Sequence, residues 1–411
     1  MVPNGWSIKT LEDLAAVERG KFSARPRNDP KYYGGKIPFV QTGDIASAKT
    51  YLSSFSQTLN EDGLKVSRLF PKNSILITIA ANIGDTAITS FEVACPDSLV
   101  GIQPKQDVDC FWLNSFLETC KDELDGKATQ NAQKNINLQV LKPLEILTPP
   151  YEEQRKIAQI LSTWDKAITT TEQLIAASQQ QKKALMQQLL TGKKRLLNPE
   201  TGKVFEGDWE EVKLSKLCSR LTEKNKGQST NVVTISAQYG LIRQEEFFKK
   251  SVASETLDNY FILRQGQFAY NKSYSNGYPM GAIKRLNRYK DAVVTSLYIC
   301  FEIKDHRNTS SCFLEQFFES GLLNRGLTKV AAEGGRAHGL LNVKPTDFMA
   351  LTLHIPKFKE QQKIASVLTT ADKEIELLVA KLAHLKQEKK ALMQQLLTGK
   401  RRVKIEEMEI A

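Results

Sequence analysis

The chain has 411 residues, 41% hydrophobic and 25% charged, with a net charge of +11. That apolar fraction supplies several packed cores and excludes global disorder, while the basic excess favours a polyanionic partner, nucleic acid first. Six cysteines stand without a C-x-x-C pair and no run approaches 18 uncharged apolar residues, which excludes a disulfide framework, a zinc ribbon and a transmembrane helix.

The opening MVPNGWSIKTLEDLA lacks the basic-then-apolar pattern of a signal peptide, so the expected compartment is the cytoplasm, with no membrane partner. Residues 1–150 are expected to form a first globular domain. Short strand-like runs punctuated by Gly, Asn and Pro dominate it, as in Phe70–Ile88, and a helix is expected near Phe111–Glu123. Pro149 and Pro150 then introduce a long helical region, residues 151–192. Ile157, Leu161, Trp164, Ile168, Thr171, Ile175, Ser178, Lys182, Leu185 and Leu189 step by four and three. That spacing is a heptad seam, interrupted by the polar residues Thr171, Ser178 and Lys182. Gly192 stands where helices end.

After a linker, residues 193–207, a second domain is expected over 208–357. Its start, Asp208–Cys218, echoes Gly5–Ala15, with Trp6/Trp209 and Leu11/Leu214 at equal spacing. Leu263–Ile283 matches Phe70–Ile88 in outline, and a helix is expected near Phe313–Leu322. Residues 358–399 repeat the helical region. Ile364, Leu368, Ala371, Ile375, Leu378, Leu382, Leu385, Lys389, Leu392 and Leu396 fall on the matching steps, and Gly399 follows. Residues 400–411 form a tail.

ALMQQLLTGK at Ala184–Lys193 recurs at Ala391–Lys400, 207 residues on, and the same offset aligns Glu153–Ile168 with Glu360–Ile375. A constant, ungapped offset means that a whole unit was duplicated. The helices stayed alike while the domains diverged, which suits two binding modules with different targets. Each helix of about 40 residues would run about 60 Å and must bury its seam. The fold expected is α+β: two globular domains alternating with two long helices that pair as an antiparallel coiled coil, with an internal pseudo-two-fold repeat. Each domain is expected to carry a curved or barrel-like sheet. A homodimeric coiled coil between chains is the alternative use of the seam.

Catalytic signatures are missing. Thr148–Tyr151 resembles the Pro-Pro-aromatic motif of amino-methyltransferases, but Thr stands first and no Gly-rich loop follows a strand to hold S-adenosylmethionine. The glycine–lysine pairs Gly192-Lys193 and Gly202-Lys203 fail the P-loop spacing. His306, His338, His354 and His384 have no ligand-like neighbours in sequence, so no metal site is expected.

With the repeat in hand, the chain resembles the specificity subunit of type I restriction–modification enzymes over essentially its whole length. The resemblance rests on Trp6 and Trp209, on Pro149–Ile157 with its counterpart Lys359–Ile364, and on the duplicated Leu-Met-Gln-Gln-Leu-Leu-Thr-Gly-Lys helix ends. It implies a non-catalytic subunit with two target-recognition domains, each reading one half of a bipartite site in double-stranded DNA. The paired helices would set the spacer; a 60 Å rod spans roughly 17 base pairs. It further implies two methyltransferase subunits docked on the helical regions, with S-adenosylmethionine held there and no cofactor in this chain. Endonuclease/translocase subunits would join that core.

Such domains vary with their targets, so candidate DNA contacts are read from chemistry: Lys and Arg for phosphates, Arg, Asn, Gln and Asp for base edges, aromatics for stacking. In the first domain these are Lys21, Arg25, Arg27, Lys31, Tyr32 and Lys36 in a basic, aromatic, glycine-rich loop. Gln41, Thr42 and Asp44 follow a short strand, and Lys127, Thr129, Gln130, Asn131, Lys134 and Asn135 form a polar loop. In the second domain they are Ser236, Gln238 and Tyr239; Asn271, Lys272, Tyr274 and Asn276; and Arg336 with His338. An autonomous methyltransferase or nuclease would need motifs that the sequence lacks, and a protein-only adaptor sits poorly with the charge. Arg336→Ala or Gln130→Ala is expected to weaken methylation at the cognate site with subunit assembly intact. Unchanged DNA binding in both variants would count against these loops.

Overall fold

The computed structural model describes residues 2–128, 134–248, 257–331 and 341–405. The chain forms two compact units, one of Met1–Gln173 with Ala380–Ala411, the other of Leu174–Val379. The division falls within both long helices, Tyr151–Leu189 and Phe358–Leu396, each of 39 residues. Each unit therefore holds one domain and one portion of each helix.

In the first unit, strand Ser7–Thr10 pairs antiparallel with Glu145–Thr148, which brings the start of the domain beside its end. Thr10 caps the single turn Leu11–Leu14: its side chain accepts from the Asp13 amide, and Asp13 accepts from the Thr10 N–H at 2.8 Å. The turn feeds strand Ala15–Arg19, the edge of a five-stranded sheet. The order is Ala15–Arg19, Leu99–Pro104, Ile75–Thr78, Thr86–Thr89, Tyr51–Leu52. Ile75–Thr78 and Thr86–Thr89 are buried at every position, apolar except for Thr78, Thr86 and Thr89. A four-stranded sheet runs Gln57–Leu59, Tyr33–Phe39, Val93–Ala94, Leu69–Phe70. Trp112, Leu113 and Leu117 of helix Cys110–Thr119 share one core with Ile157 and Leu161 of the first long helix and Leu396 of the second.

The second unit repeats this frame. Glu210–Lys213 pairs with Thr352–Ile355, the turn Leu214–Leu217 follows, and Cys218–Leu221 opens a sheet in the order Cys218–Leu221, Ile299–Ile303, Phe268–Asn271, Ala282–Arg285. Its core is aromatic: Phe268 stacks on Phe301 at 5.3 Å and Tyr270 on Phe348 at 4.8 Å. Leu189, Ile364 and Leu368 of the long helices complete it. The hairpin Val233–Ser236 with Gly240–Arg243, and the pair Phe261–Arg264 with Asp291–Val294, belong to a separate apolar cluster.

Two details differ from the sequence-based expectation. The described strands of each domain divide among several sheets rather than a single curved or barrel-like one, because many strands are only two to four residues long and ladder with few neighbours. The helix expected near Phe111–Glu123 breaks at Cys120, whose N–H bonds the Leu117 carbonyl, giving Cys110–Thr119 and Lys121–Gly126. Its counterpart is Ser311–Glu319. Both long helices are closed by a left-handed glycine, Gly192 at φ 71° and Gly399 at φ 67°. The amides of Lys194 and Arg401 then bond back to Gln188 and Gln395, each at 3.1 Å. No helix among the described residues is long and apolar enough to cross a membrane.

Cys95, Cys120, Cys218 and Cys300 are buried, Cys110 is half-buried and Cys312 is exposed. Burial pushes the thiols up, to about 11 at Cys120 and about 12 at Cys110, Cys218 and Cys300. A thiol reagent near neutral pH is expected to label Cys312 rapidly and all six only after denaturation. Rapid native labelling of several thiols would contradict this packing.

Candidate nucleic-acid interface

Each long helix opens with a buried Glu-Gln pair, Glu153-Gln154 and Glu360-Gln361. The Gln154 amide oxygen accepts from the Asp109 N–H at 2.9 Å, and its nitrogen donates to the Pro149 carbonyl at 3.0 Å. Gln361 does the same with Ser310 and Pro356, both at 2.9 Å. Asp109 and Ser310 are the N-caps of helices Cys110–Thr119 and Ser311–Glu319, so each glutamine ties a domain helix to a long helix.

The glutamates receive an arginine that follows the end of the other helix. Arg195 donates to Glu360 twice, at 2.6 and 2.7 Å, and to the Gly207 carbonyl at 3.0 Å. Arg402 donates to both oxygens of Glu153, from Nε at 2.9 Å and from Nη2, and to the Asn4 carbonyl at 2.7 Å. Trp6 Nε1 adds a bond to Glu153 at 3.0 Å, whereas the buried Nε1 of Trp209 has no partner. The repeat is thus matched in its ion pair and unequal in its tryptophan.

Between these junctions the helices run antiparallel within the chain. In the first unit Asp165 pairs with Lys389 at 2.6 Å and Glu172 with Lys386 at 2.8 Å; in the second, Lys182 pairs with Asp372 at 2.5 Å. Ile157, Leu161, Leu189, Ile364, Leu368 and Leu396 are fully buried. Trp164, Ile168, Leu185, Ile375, Leu382 and Leu392 are half-buried. Thr171 is buried inside the seam, where its hydroxyl donates to the Ala167 carbonyl at 2.8 Å.

The candidate DNA contacts fall into groups. Lys21 and Arg25 are exposed in the segment before the short turn Pro30–Tyr32, which carries Lys31 and Tyr32. Lys36 lies on strand Tyr33–Phe39 rather than in a loop. Arg27 pairs with Asp97 at 2.9 Å and Lys31 with Asp29 at 3.3 Å, both in the open. Tyr32 packs edge-on to the buried Phe22 at 6.1 Å. Gln41 and Asp44 are engaged in local structure: Asp44 accepts from the Gln41 N–H at 2.7 Å and from Ser56 at 3.0 Å, and the Gln41 amide donates to Gln57 at 3.1 Å. They cap helix Thr42–Ser47, on which Thr42 is the first residue. Lys127 and Lys134 pair with Glu123 and Asp125, each at 2.6 Å. Exposed pairs of this kind are worth about 0–1 kcal/mol, so a phosphate displaces them at little cost.

In the second unit, Ser236, Gln238 and Tyr239 form the tip of the hairpin, where the Ser236 hydroxyl accepts from the Tyr239 N–H at 3.1 Å. Tyr239 and Tyr274 are 63% and 61% exposed, so their rings are available for stacking. Asn271 ends its strand and accepts from the Ser273 N–H at 3.0 Å, and Lys272 and Asn276 follow in the same loop. Thr129, Gln130, Asn131, Arg336 and His338 lie outside the described residues.

One geometric match escaped the sequence reading. The chain that returns after residues 332–340 donates from the Leu341 N–H to the Lys272 carbonyl at 3.1 Å. In the first unit, the chain that returns after residues 129–133 bridges Asn135 to Ala80 and donates from the Ile136 N–H to the Ile79 carbonyl at 2.9 Å. Ile79 and Lys272 each directly follow the equivalent strand, Ile75–Thr78 or Phe268–Asn271. The first-unit counterpart of the Asn271–Asn276 loop is therefore Ala80–Asp85, where Asp85 binds Lys121. The signal was available, because Phe70–Ile88 and Leu263–Ile283 align in outline. No cluster of three or more His, Cys, Asp or Glu that could hold a metal ion occurs among the described residues.

This arrangement, with matched frames and different loops, has counterparts among known proteins. The family described as "Type I restriction modification DNA specificity domain" matches the chain twice, at residues 3–178 and 206–387. The chain belongs to that family. A putative type I restriction enzyme MjaX specificity subunit of Methanocaldococcus jannaschii is 24% identical, covering 98% of this chain and 95% of that one. The MjaIX specificity subunit of the same organism is 30% identical over 172 residues, 41% of this chain and 39% of its own length. The fold is shared with the S subunit of a type I system from M. genitalium, at TM-score 0.57 and 15% identity, over 96% of this chain and 97% of that one. It is also shared with the HsdS subunit from Thermoanaerobacter tengcongensis, at TM-score 0.50 and 16% identity, over 97% and 98%. The two matched segments make the chain a type I restriction–modification specificity subunit, the non-catalytic member of such a complex.

The Glu360–Arg195 pair lies deeper than Glu153–Arg402, with arginine side-chain exposures of 23% against 40%. Glu360→Ala strands the guanidinium and is expected to cost about 3 kcal/mol, the low end for breaking a buried pair. Glu153→Ala is expected to cost less through its more hydrated arginine. Thermal melting of the two variants checks the order, and equal melting with wild type for Glu360→Ala would contradict it.

Proposed function

We propose that each unit reads one half of a bipartite site in double-stranded DNA, the two halves differing in sequence. The observation that carries this reading is the pairing of a kept frame with changed loops. Both units anchor a returning segment beside the carbonyl that follows the same strand, yet one presents Ala80–Asp85 there and the other Asn271–Asn276. Two modules with one scaffold and unlike contact chemistry are suited to two unlike half-sites.

Exposed Lys21, Arg25, Lys36, Lys127 and Lys134 would supply phosphate contacts in the first unit, and Gln238, Tyr239, Tyr274 and Asn276 base or sugar contacts in the second. The helical regions would dock two methyltransferase subunits that hold S-adenosylmethionine, with endonuclease/translocase subunits joining them in the cytoplasm. Each 39-residue helix is about 58 Å long at 1.5 Å per residue, comparable with the reach needed between separated half-sites. The domain boundaries that accompany this reading are 1–150 and 208–357.

Mapping modified bases in DNA treated with the assembled complex tests the proposal. A two-part motif with a fixed spacer is expected, and a single contiguous motif or none would sink it. Gln238→Ala and Asn276→Ala are expected to relax one half of the motif only. Lys36→Ala should weaken all sequences alike and lower the salt slope of binding by about one. A half-specific effect of Lys36→Ala would reverse its assignment as a phosphate contact.

A further inference from the structure

Lys182 and Lys389 occupy equivalent positions in the apolar seam, 207 residues apart, and their side chains are only 14% and 15% exposed. A lysine this enclosed must be paired, because its desolvation is otherwise uncompensated. Each meets an aspartate of the other helix, and these aspartates, Asp165 and Asp372, are themselves 207 residues apart. The second carboxylate oxygen is used in the same way in both units. Asp165 gives Oδ1 to Lys389 and accepts on Oδ2 from the hydroxyl of Thr50 at 2.9 Å. Asp372 gives Oδ1 to Lys182 and accepts on Oδ2 from the side-chain amide of Gln316 at 2.7 Å. Thr50 and Gln316 are buried residues of the respective domains. They come from unrelated elements, the segment before strand Tyr51–Leu52 and helix Ser311–Glu319.

We infer that Asp165 and Asp372 are positioning residues that lock the seat of each recognition domain to the register of the paired helices, and so set which spacer lengths the subunit accepts. Each carboxylate reads two things at once, the neighbouring helix and the domain above it. A slip of one helical turn moves the lysine by about 5.4 Å along the seam and leaves both charges unpaired. A polar residue at a seam position is a recognised device for holding one register. In the first unit the same coupling is reinforced by Glu172, which binds Lys386 of the other helix at 2.8 Å and Lys49 of the domain at 2.5 Å. Those two lysines hold the Glu172 carboxyl below the usual range. The node shared by both units is the aspartate–lysine pair, which recurs at the duplication offset, whereas the position equivalent to Glu172 is Val379.

This inference rests on the bipartite reading proposed above. The test uses the specificity subunit assembled with its methyltransferase partner. Methylation is measured on duplexes carrying the mapped half-sites at the native spacer and at spacers one base pair shorter or longer. Asp165→Asn is expected to lower the ratio of native to altered-spacer methylation several-fold, with the bases preferred in each half unchanged. Thr50→Val keeps the Lys389 pair and removes only the domain's bond to Asp165, and is expected to lower that ratio as well in a folded complex, which a loss of folding alone would not do. An unchanged ratio in folded Asp165→Asn or Thr50→Val complex would overturn the inference. Should the wild-type complex show no two-part motif, the functional reading fails and the lock is scored by melting instead. Losses from Asp165→Asn and Lys389→Met that overlap support it, and strictly additive losses overturn it.

Discussion

Burying a lysine in an apolar helix seam is permitted only where a carboxylate waits for it, and that constraint organises this molecule. With Lys182 and Lys389 inward, the helices pair in the register that supplies Asp372 and Asp165. The same register brings Arg195 to Glu360 and Arg402 to Glu153, and those glutamates stand beside the glutamines that hold the domain helices. A chain of polar contacts thus runs from seam to domain in each unit. Apolar burial supplies most of the driving force, as the shared cores of Leu161 with Leu396 and Leu189 with Ile364 show. The polar contacts select one arrangement among several that would bury similar area.

A consequence is that each domain core is completed by the end of the long helix of the other repeat. The first needs the end of the second helix, nearly 400 residues from Trp6, and Gly399 packs directly against Pro3 and the Trp6 ring. The second needs Leu189 and Leu190 from the first helix beside Trp209. Duplication without this exchange would have left two tethered halves. With it, the frame is under packing constraint at both ends, while the loops beyond Ile79 and Lys272 are free to diverge. That difference in constraint is the physical reason that the helices read alike and the domains do not.

The frame was legible in the sequence because helical periodicity and a fixed offset are properties of residue order. Ile157, Leu161, Leu189, Ile364, Leu368 and Leu396 are core residues and lie on the seam steps. The roles of Glu153, Gln154, Asp165 and their copies were not legible, since a polar residue repeated at constant offset does not name its partner. The interface was harder still. Gln41 and Asp44 have the chemistry of base readers, yet their side chains are spent on a helix cap and on Gln57 and Ser56. Lys36 sits in a glycine-rich stretch that suggests a loop, but it lies within strand Tyr33–Phe39, at the register shift between Tyr33 and Ile37. The Ala80–Asp85 loop went unmarked because it has little basic or aromatic character, and only the backbone bonds at Ile79 and Lys272 make the two sites equivalent.

Hydrogen–deuterium exchange of the assembled complex, with and without a cognate duplex, tests two-module reading most directly. Protection on DNA binding is predicted in both units, around Ala80–Asp85 with Asn135–Ile136 and around Asn271–Asn276 with Leu341. The buried segments Ile75–Thr78 and Phe268–Tyr270 should change little. Protection confined to one unit, or spread along the helices with neither loop affected, would contradict it.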